Sequence, residues 1–298
     1  MRLVRIVLIA SLALVSPLSA AGGPKVHRFA SGEASRFASS YWFLTERGSV
    51  LVDAPFLVPE AEGLKAEMTA AAALPLGAAI LTGGQAEASW GLVPLVSPGT
   101  RVWSSRATLA TLDSSFRPER ERLLRAGIPF ASMPRTPPRV TNPFTGSLNL
   151  GFEGYTLRLF EAGEAGTPSS TAIFVPETGE LFAGRLVWNR VHPVTRGADL
   201  GAWRRALAEL KHLGPRLVYP GYGEPGTAEL LARMSDYLEA LEESVRPLAF
   251  RPSLSARDVS ALRQVLVRRN RDWVLPAELD ASIRAEHARL RGLLTGRE

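Results

Sequence analysis

The pattern of apolar and polar residues divides the chain into short strand-like runs and longer helix-like ones. Tyr41–Leu44 and Val50–Asp53 are apolar runs separated by a turn at Arg47-Gly48, which predicts two neighbouring strands. Glu60–Ala73, rich in Ala and Leu, predicts a helix. Ala78–Thr82 has the length of a buried strand and ends at a Gly-Gly loop. A strand follows at Arg101–Ser104 and a helix at Pro118–Ala126, before the Pro-rich connection Pro129–Pro143.

Beyond that connection the pattern repeats. Strands are predicted at Leu148–Leu150, Thr156–Phe160, Thr171–Val175 and Glu180–Ala183, then a helix at Leu200–Leu213. A strand at Arg216–Tyr219 and a helix at Thr227–Ser244 close this half, and two basic amphipathic helices follow at Ala256–Arg269 and Leu279–Leu294. Two strand-rich halves, each followed by helices, are the pattern of two sheets packed face to face with helices outside. A doubly wound sheet satisfies the pattern as well.

The N-terminus changes the picture of where the protein works. Arg2 and Arg5 precede ten apolar residues, Ile6 to Val15, and Ser19-Ala20-Ala21 offers small residues for cleavage. These are the parts of a secretory signal over residues 1–21, and the apolar run is too short for a span that needs about 20 residues. The expected location is the periplasm or outside the cell. There are no cysteines, so the protein uses neither disulfides nor thiolate nucleophiles. Ten of its arginines lie in residues 251–298 against six acidic residues, so the basic character belongs to the tail. A neutral body argues against nucleic acid. Packing of the tail through Val259, Leu262, Val265 and Leu266 is the first expectation, and contact with a membrane surface a secondary one.

Specific residues decide between the architectures. Val50-Leu51-Val52-Asp53, Ala79-Ile80-Leu81-Thr82, Thr167-Pro168-Ser169 before Thr171–Pro176, Leu181-Phe182-Ala183-Gly184 and Val218-Tyr219-Pro220-Gly221 occur in that order. The series resembles the metallo-β-lactamase superfamily over about residues 25–230. The resemblance implies a four-layer αββα sandwich over residues 22–245, with 246–298 as a basic helical extension. Arg185-Leu186-Val187-Trp188-Asn189 and the Thr227–Ser244 helix look most like the exported branch associated with quinoprotein dehydrogenase and sulfur-oxidation systems.

In that family the loop after the Thr82 strand carries His-x-His-x-Asp-His. A further His precedes the Thr-Pro segment, an Asp follows the Phe-x-Gly turn, and a last His follows Pro-Gly. Together they hold one or two metal ions that activate water. The matching positions here are Gly83, Gln85, Glu87, Ala88, Gly166, Arg185 and Tyr222, so each is replaced. Glu87 is the one replacement that binds a metal readily, while Arg185 brings a fixed positive charge. The four histidines, His27, His192, His212 and His287, are too scattered to rebuild the motif. No metal and no cofactor are therefore expected. A salt bridge between Glu87 and Arg185 is expected in the vacated space, with Tyr222 and Trp188 filling the rest.

Other signals are weaker. Gly221-Tyr222-Gly223-Glu224-Pro225-Gly226 matches G-x-G-x-x-G, but no strand follows its helix, and a tight turn explains it more simply. No G-x-S-x-G elbow is present. His192 follows the Arg185 segment and is a candidate to line the cavity. Asp53 matches a position that orders loops in the family. The functional expectation is a periplasmic pseudoenzyme that binds a small molecule or a partner protein as an accessory. The alternative is a hydrolase working without metal through Gln85, Glu87, Arg185, His192 or Tyr222, with Glu87 as base and Arg185 stabilising an oxyanion.

Overall fold

Val50, Leu51 and Val52 are buried on both faces of their strand, which requires a sheet covered on both sides. The computed structural model describes residues 24–45, 48–72, 75–152, 154–163 and 170–295. The expected signal segment, Gly166 and the Thr167–Ser169 motif lie outside them. One sheet has the order β1 (His27–Ala30), β2 (Ser39–Thr45), β3 (Gly48–Val52), β4 (Leu76–Ile80), β5 (Arg101–Ser105) and β6 (Asn142–Phe144). It is antiparallel from β1 to β3 and parallel from β3 to β6. The other begins β7 (Ser147–Phe152), β8 (Tyr155–Glu161), β9 (Thr171–Val175), β10 (Glu180–Trp188) and ends on β11 (Leu217–Tyr222), which runs parallel to β10.

Alternation along the strands builds the layers. Val50, Val52, Ile80 and Trp103 from the first sheet share one apolar cluster with Leu157, Ile173, Phe182 and Tyr219 from the second. Leu51, Ala79 and Val102 point the other way and pack with Leu64 and Met68 of α1 (Val58–Ala72). Across the second sheet, Leu181 and Ala183 pack with the helices that follow it, including Trp203 of α4 (Leu200–His212) and Leu238 of α5 (Glu229–Val245). The order is helix, sheet, sheet, helix: the αββα sandwich the resemblance implies. Each fully buried Leu, Val or Phe contributes about 1.5–3 kcal/mol to holding it.

The remaining helices are α2 (Ala86–Ser89), α3 (Arg106–Arg125), α6 (Ala256–Arg269) and α7 (Glu278–Thr295). Val259 and Leu266 of α6 and Leu279, Ile283 and Leu290 of α7 join the same core as Leu238, with Arg257, Arg268 and Arg269 turned to solvent. Among the described residues no helix is long and apolar enough to cross a membrane.

Four elements depart most from the sequence expectation. Helix α3 begins at Arg106, twelve residues before Pro118, because the Ser105 hydroxyl caps it by accepting from the Thr108 amide at 3.0 Å. Thr and Ser residues hid its period, and Pro118 lies inside it. Strand β10 runs to Trp188 instead of Ala183, with a register shift at Gly184, so Arg185 stands on a strand and not in a loop. The edge strands β1 and β6 were too short to register.

Candidate functional site

The ends of β3, β4, β10 and β11 meet at one edge of the sandwich, with β3/β4 and β10/β11 each a parallel pair. Crevices at the carboxyl ends of parallel strands are where α/β folds place ligands. The first fixed point is Asp53, immediately after β3, buried and in the left-handed region at φ 57°. Its carboxylate accepts from the Thr82 amide at 2.7 Å and from the Thr82 hydroxyl at 2.5 Å. The Thr82 carbonyl in turn accepts from the Thr171 amide of the second sheet at 2.8 Å. Burial pushes the Asp53 carboxyl up to about 7, against the two Thr82 bonds that favour its charge. Asp53 is an orderer of loops, as its position implied.

The segment after Thr82 leads through Gly83, Gly84 and Gln85 into the short helix α2, which carries Glu87 and Ala88. Glu87 is 8% exposed, and its carboxylate is ion-paired with the guanidinium of Arg36. Arg36 sits in the turn before β2, where Arg36 and Phe37 are both left-handed, at φ 54° and 59°. Two non-glycine residues in that region cost about 1–2 kcal/mol each. The turn is held by bonds from the Arg36 amide to Glu33 and from the Phe37 amide to Gly32. The Nε of Arg36 also reaches Glu278 of α7 at 3.1 Å. Burial works to lower the Arg36 pKa, and Glu87 and Glu278 outweigh it, so the guanidinium is held even more firmly charged.

This corrects the expected Glu87–Arg185 bridge: the cation on Glu87 is Arg36. Arg185 turns instead to the Tyr222 hydroxyl at 3.3 Å and the Val194 carbonyl at 3.2 Å, with its guanidinium 5.4 Å from the Trp188 ring centre. Trp188 and Tyr222 are cross-strand partners whose rings stack with centres 3.5 Å apart. Burial raises the Tyr222 phenol far above its usual range, so it stays neutral. The two aromatics fill volume as expected, and Tyr222 gives Arg185 a neutral acceptor.

His192 does not line the site. It is fully buried among the helices, with Nδ1 2.9 Å from the Tyr237 hydroxyl and its ring tilted against Trp273. Burial lowers its pKa to about 4, so it is a neutral core residue, and it is not among the residues that line the crevice. The glycine series 221–226 is likewise structural. A Cβ on Gly223, at φ 85°, would lie 2.0 Å from the Asn189 carbonyl oxygen.

No family model matches the sequence, and neither does any curated protein. Solved structures do. The chain is similar to a metallo-β-lactamase from Pontibacter korlensis, with a TM-score of 0.55 and 20% identity over 68% of this chain and 87% of that one. It is similar also to the stereoselective inverting sec-alkylsulfatase Pisa1 from a Pseudomonas species, with a TM-score of 0.62 and 14% identity over 88% of this chain and 48% of that one. This is a metallo-β-lactamase fold. The chain spans about half the length of the alkylsulfatase. Such identities speak for the fold alone, so the chemistry has to be argued from this site.

A metal centre of the metallo-β-lactamase kind needs at least three strong donors around an open position. At the positions the resemblance assigns, Gln85 is a weak neutral donor, Gly83 and Ala88 offer none, Tyr222 is a neutral phenol, and Arg185 is cationic. Glu87 is engaged by Arg36. Among the described residues no three His, Cys, Asp or Glu side chains lie together in a way that could hold a metal ion. The residues present do not fit zinc.

What they form is a pocket of about 250 Å³ lined by Gln85, Glu87 and Arg185 together with Arg36, Glu119, Arg122 and Arg196. The last four escaped the sequence reading. Arg122 and Glu119 pair on α3 through two bonds of 2.7 and 2.5 Å, an i, i+3 contact that looks like any solvated helix face. The side-chain oxygen and nitrogen of Gln85 are buried and have no hydrogen-bond partner among the described residues. An unmet buried polar group costs about 1–3 kcal/mol.

Proposed function

We propose that this protein is an exported metallo-β-lactamase-fold pseudoenzyme that uses the crevice of the altered metal site to hold a ligand as an accessory to a periplasmic pathway. The observation that carries this reading is the Arg36–Glu87 ion pair. The one metal-competent residue of the altered motif is neutralised by a guanidinium from a strained turn, and Arg185 is held by Tyr222 and Val194. A buried carboxylate so paired is a poor general base, because taking a proton would break its charge-assisted bond. The crevice keeps its place and its polar lining without the groups that activate water.

The test is the metal content of untagged protein isolated from periplasm, before and after zinc soaking, alongside hydrolysis assays on ester, lactam, thioester and phosphoester substrates. Less than about a tenth of an equivalent of zinc, with no turnover, is the expected result. Stoichiometric zinc that survives dialysis, or turnover abolished by Glu87→Gln, overturns the reading. Isolation of a mature chain beginning near residue 22 checks export in the same preparation.

A further inference from the structure

We infer that the pocket of the altered site binds a small molecule through a tetrahedral oxyanion group: a sulfate, sulfonate or phosphate. This rests on the reading that the crevice holds a ligand instead of a metal, and it names the chemistry of that ligand. Among the described residues, four guanidinium groups line the roughly 250 Å³ space, from Arg36, Arg122, Arg185 and Arg196, against two carboxylates, Glu87 and Glu119. They arrive from four different segments: the turn before β2, helix α3, strand β10 and the loop leading to α4. Crowding like charges into one cavity is unfavourable unless an opposite charge joins them; with Glu278 counted beside Arg36, the described groups still carry a net positive charge, which favours an anion.

The arginines are not all occupied in the same way. Arg36 is engaged by Glu87 and Glu278, and Arg122 by Glu119. Arg196 is exposed at the rim and makes no hydrogen bond or ion pair among the described residues. The buried Gln85 amide, with both polar atoms unmatched, forms part of the same wall. A carboxylate presents two oxygens in one plane and is satisfied by a single arginine fork. Guanidinium groups converging from several directions suit an anion with three or four acceptor oxygens. The volume leaves room beside the anion for a small organic group, and Val194 and Thr111 supply apolar and hydroxyl surface for it.

The experiment is isothermal titration of the full-length mature protein at constant ionic strength with sulfate, phosphate, methyl sulfate, phenyl phosphate and acetate. Saturable binding of at least one tetrahedral oxyanion, tighter than acetate and weakened about tenfold by Arg196→Gln, is expected. Arg196 is at the surface, so that variant keeps the wild-type melting temperature. Arg291→Gln, on α7 where the guanidinium donates to the Pro252 carbonyl at 3.0 Å and takes no part in this pocket, leaves binding unchanged. Tighter binding of an ester than of the free ion assigns an organic ligand, and the reverse order assigns the inorganic ion; either supports the site. Absence of saturable binding, equal affinity for acetate, or equal affinity in Arg196→Gln overturns it. Zinc content is measured on the same sample. Zinc-free protein that binds no oxyanion refutes this inference alone, whereas stoichiometric zinc refutes the reading beneath it.

Discussion

Arg36 bonds Glu87 with one end of its guanidinium and Glu278 with the other, so a single side chain joins the loop after β4 to the C-terminal helical extension. Glu87 is nearly buried, and removing its partner leaves a charge without compensation. Arg36→Ala is therefore expected to lower stability by about 3 kcal/mol, the scale for breaking a buried pair. The double variant Arg36→Ala with Glu87→Gln loses clearly less than the two single losses combined, because the orphaned charge is gone. Urea unfolding of the four proteins measures this. Strict additivity would show that the pair is not coupled.

Asp53 gives the protein a pH dependence of unusual sign. Its folded pKa of about 7 lies above the unfolded value of about 3.9. The stability it contributes is present in full below about pH 4 and is lost as pH rises to about 7. Asn tolerates the left-handed backbone at this position and keeps an acceptor for the Thr82 amide. Asp53→Asn gains stability relative to the parent between pH 4 and 8, read from urea midpoints. An equal difference at both pH values would contradict the buried-carboxyl account.

His192 acts in the opposite direction. With a folded pKa of about 4 and an unfolded one of about 6.5, it contributes stability above pH 6.5 that is lost as pH falls towards 4. His192→Gln keeps a polar contact for Tyr237 without the charge change. Relative to the parent, the variant becomes more stable across that acid interval, while the Asp53 slope remains in both. Activity or ligand binding that tracks His192→Gln without a change in stability would return this residue to the site.

Neighbouring glycines in the altered loop should respond differently to the same substitution. A Cβ at residue 83 would meet the Gln85 side-chain oxygen at 2.3 Å, the end of a flexible group that can turn aside. A Cβ at residue 84 would meet the Thr108 carbonyl at 2.5 Å and the Leu112 amide at 2.7 Å, both backbone atoms of α3. Gly83→Ala is expected to cost under about 1 kcal/mol, and Gly84→Ala about 3 kcal/mol. Thermal melts decide it, and similar losses at the two positions would mean that the loop does not pack on α3 as described.

Several parts of this account are visible in the chain itself. Val50-Leu51-Val52 and Leu181-Phe182-Ala183 are apolar in consecutive positions, as strands covered on both faces are, and the ordered series of such motifs carried the resemblance that implied the αββα arrangement. That Gly83, Gln85, Glu87, Ala88, Gly166, Arg185 and Tyr222 stand where the resemblance would place metal ligands is a matter of residue identity. That Trp188 and Tyr222 fill volume at the site is expected from their size; that they stack as cross-strand partners is not, because both lie beyond the strand ends the pattern predicts.

The partners of the charged groups were not legible, because charge pairing depends on distance in space and arginine is common along this chain. Arg36 lies 51 positions from Glu87 and 242 from Glu278 in a turn without a motif, and only the left-handed backbone at Arg36 and Phe37 aims it inward. The reach of β10 past Gly184 decided where Arg185 points, and the packing of Tyr237 and Trp273 removed His192 from the crevice. The sequence by itself determined which donor atoms stand at the positions the resemblance assigns to a metal, since a side chain's donor atoms are fixed by its identity. Tertiary structure decided which charges meet there, since a Coulomb interaction is set by separation and burial that folding alone supplies.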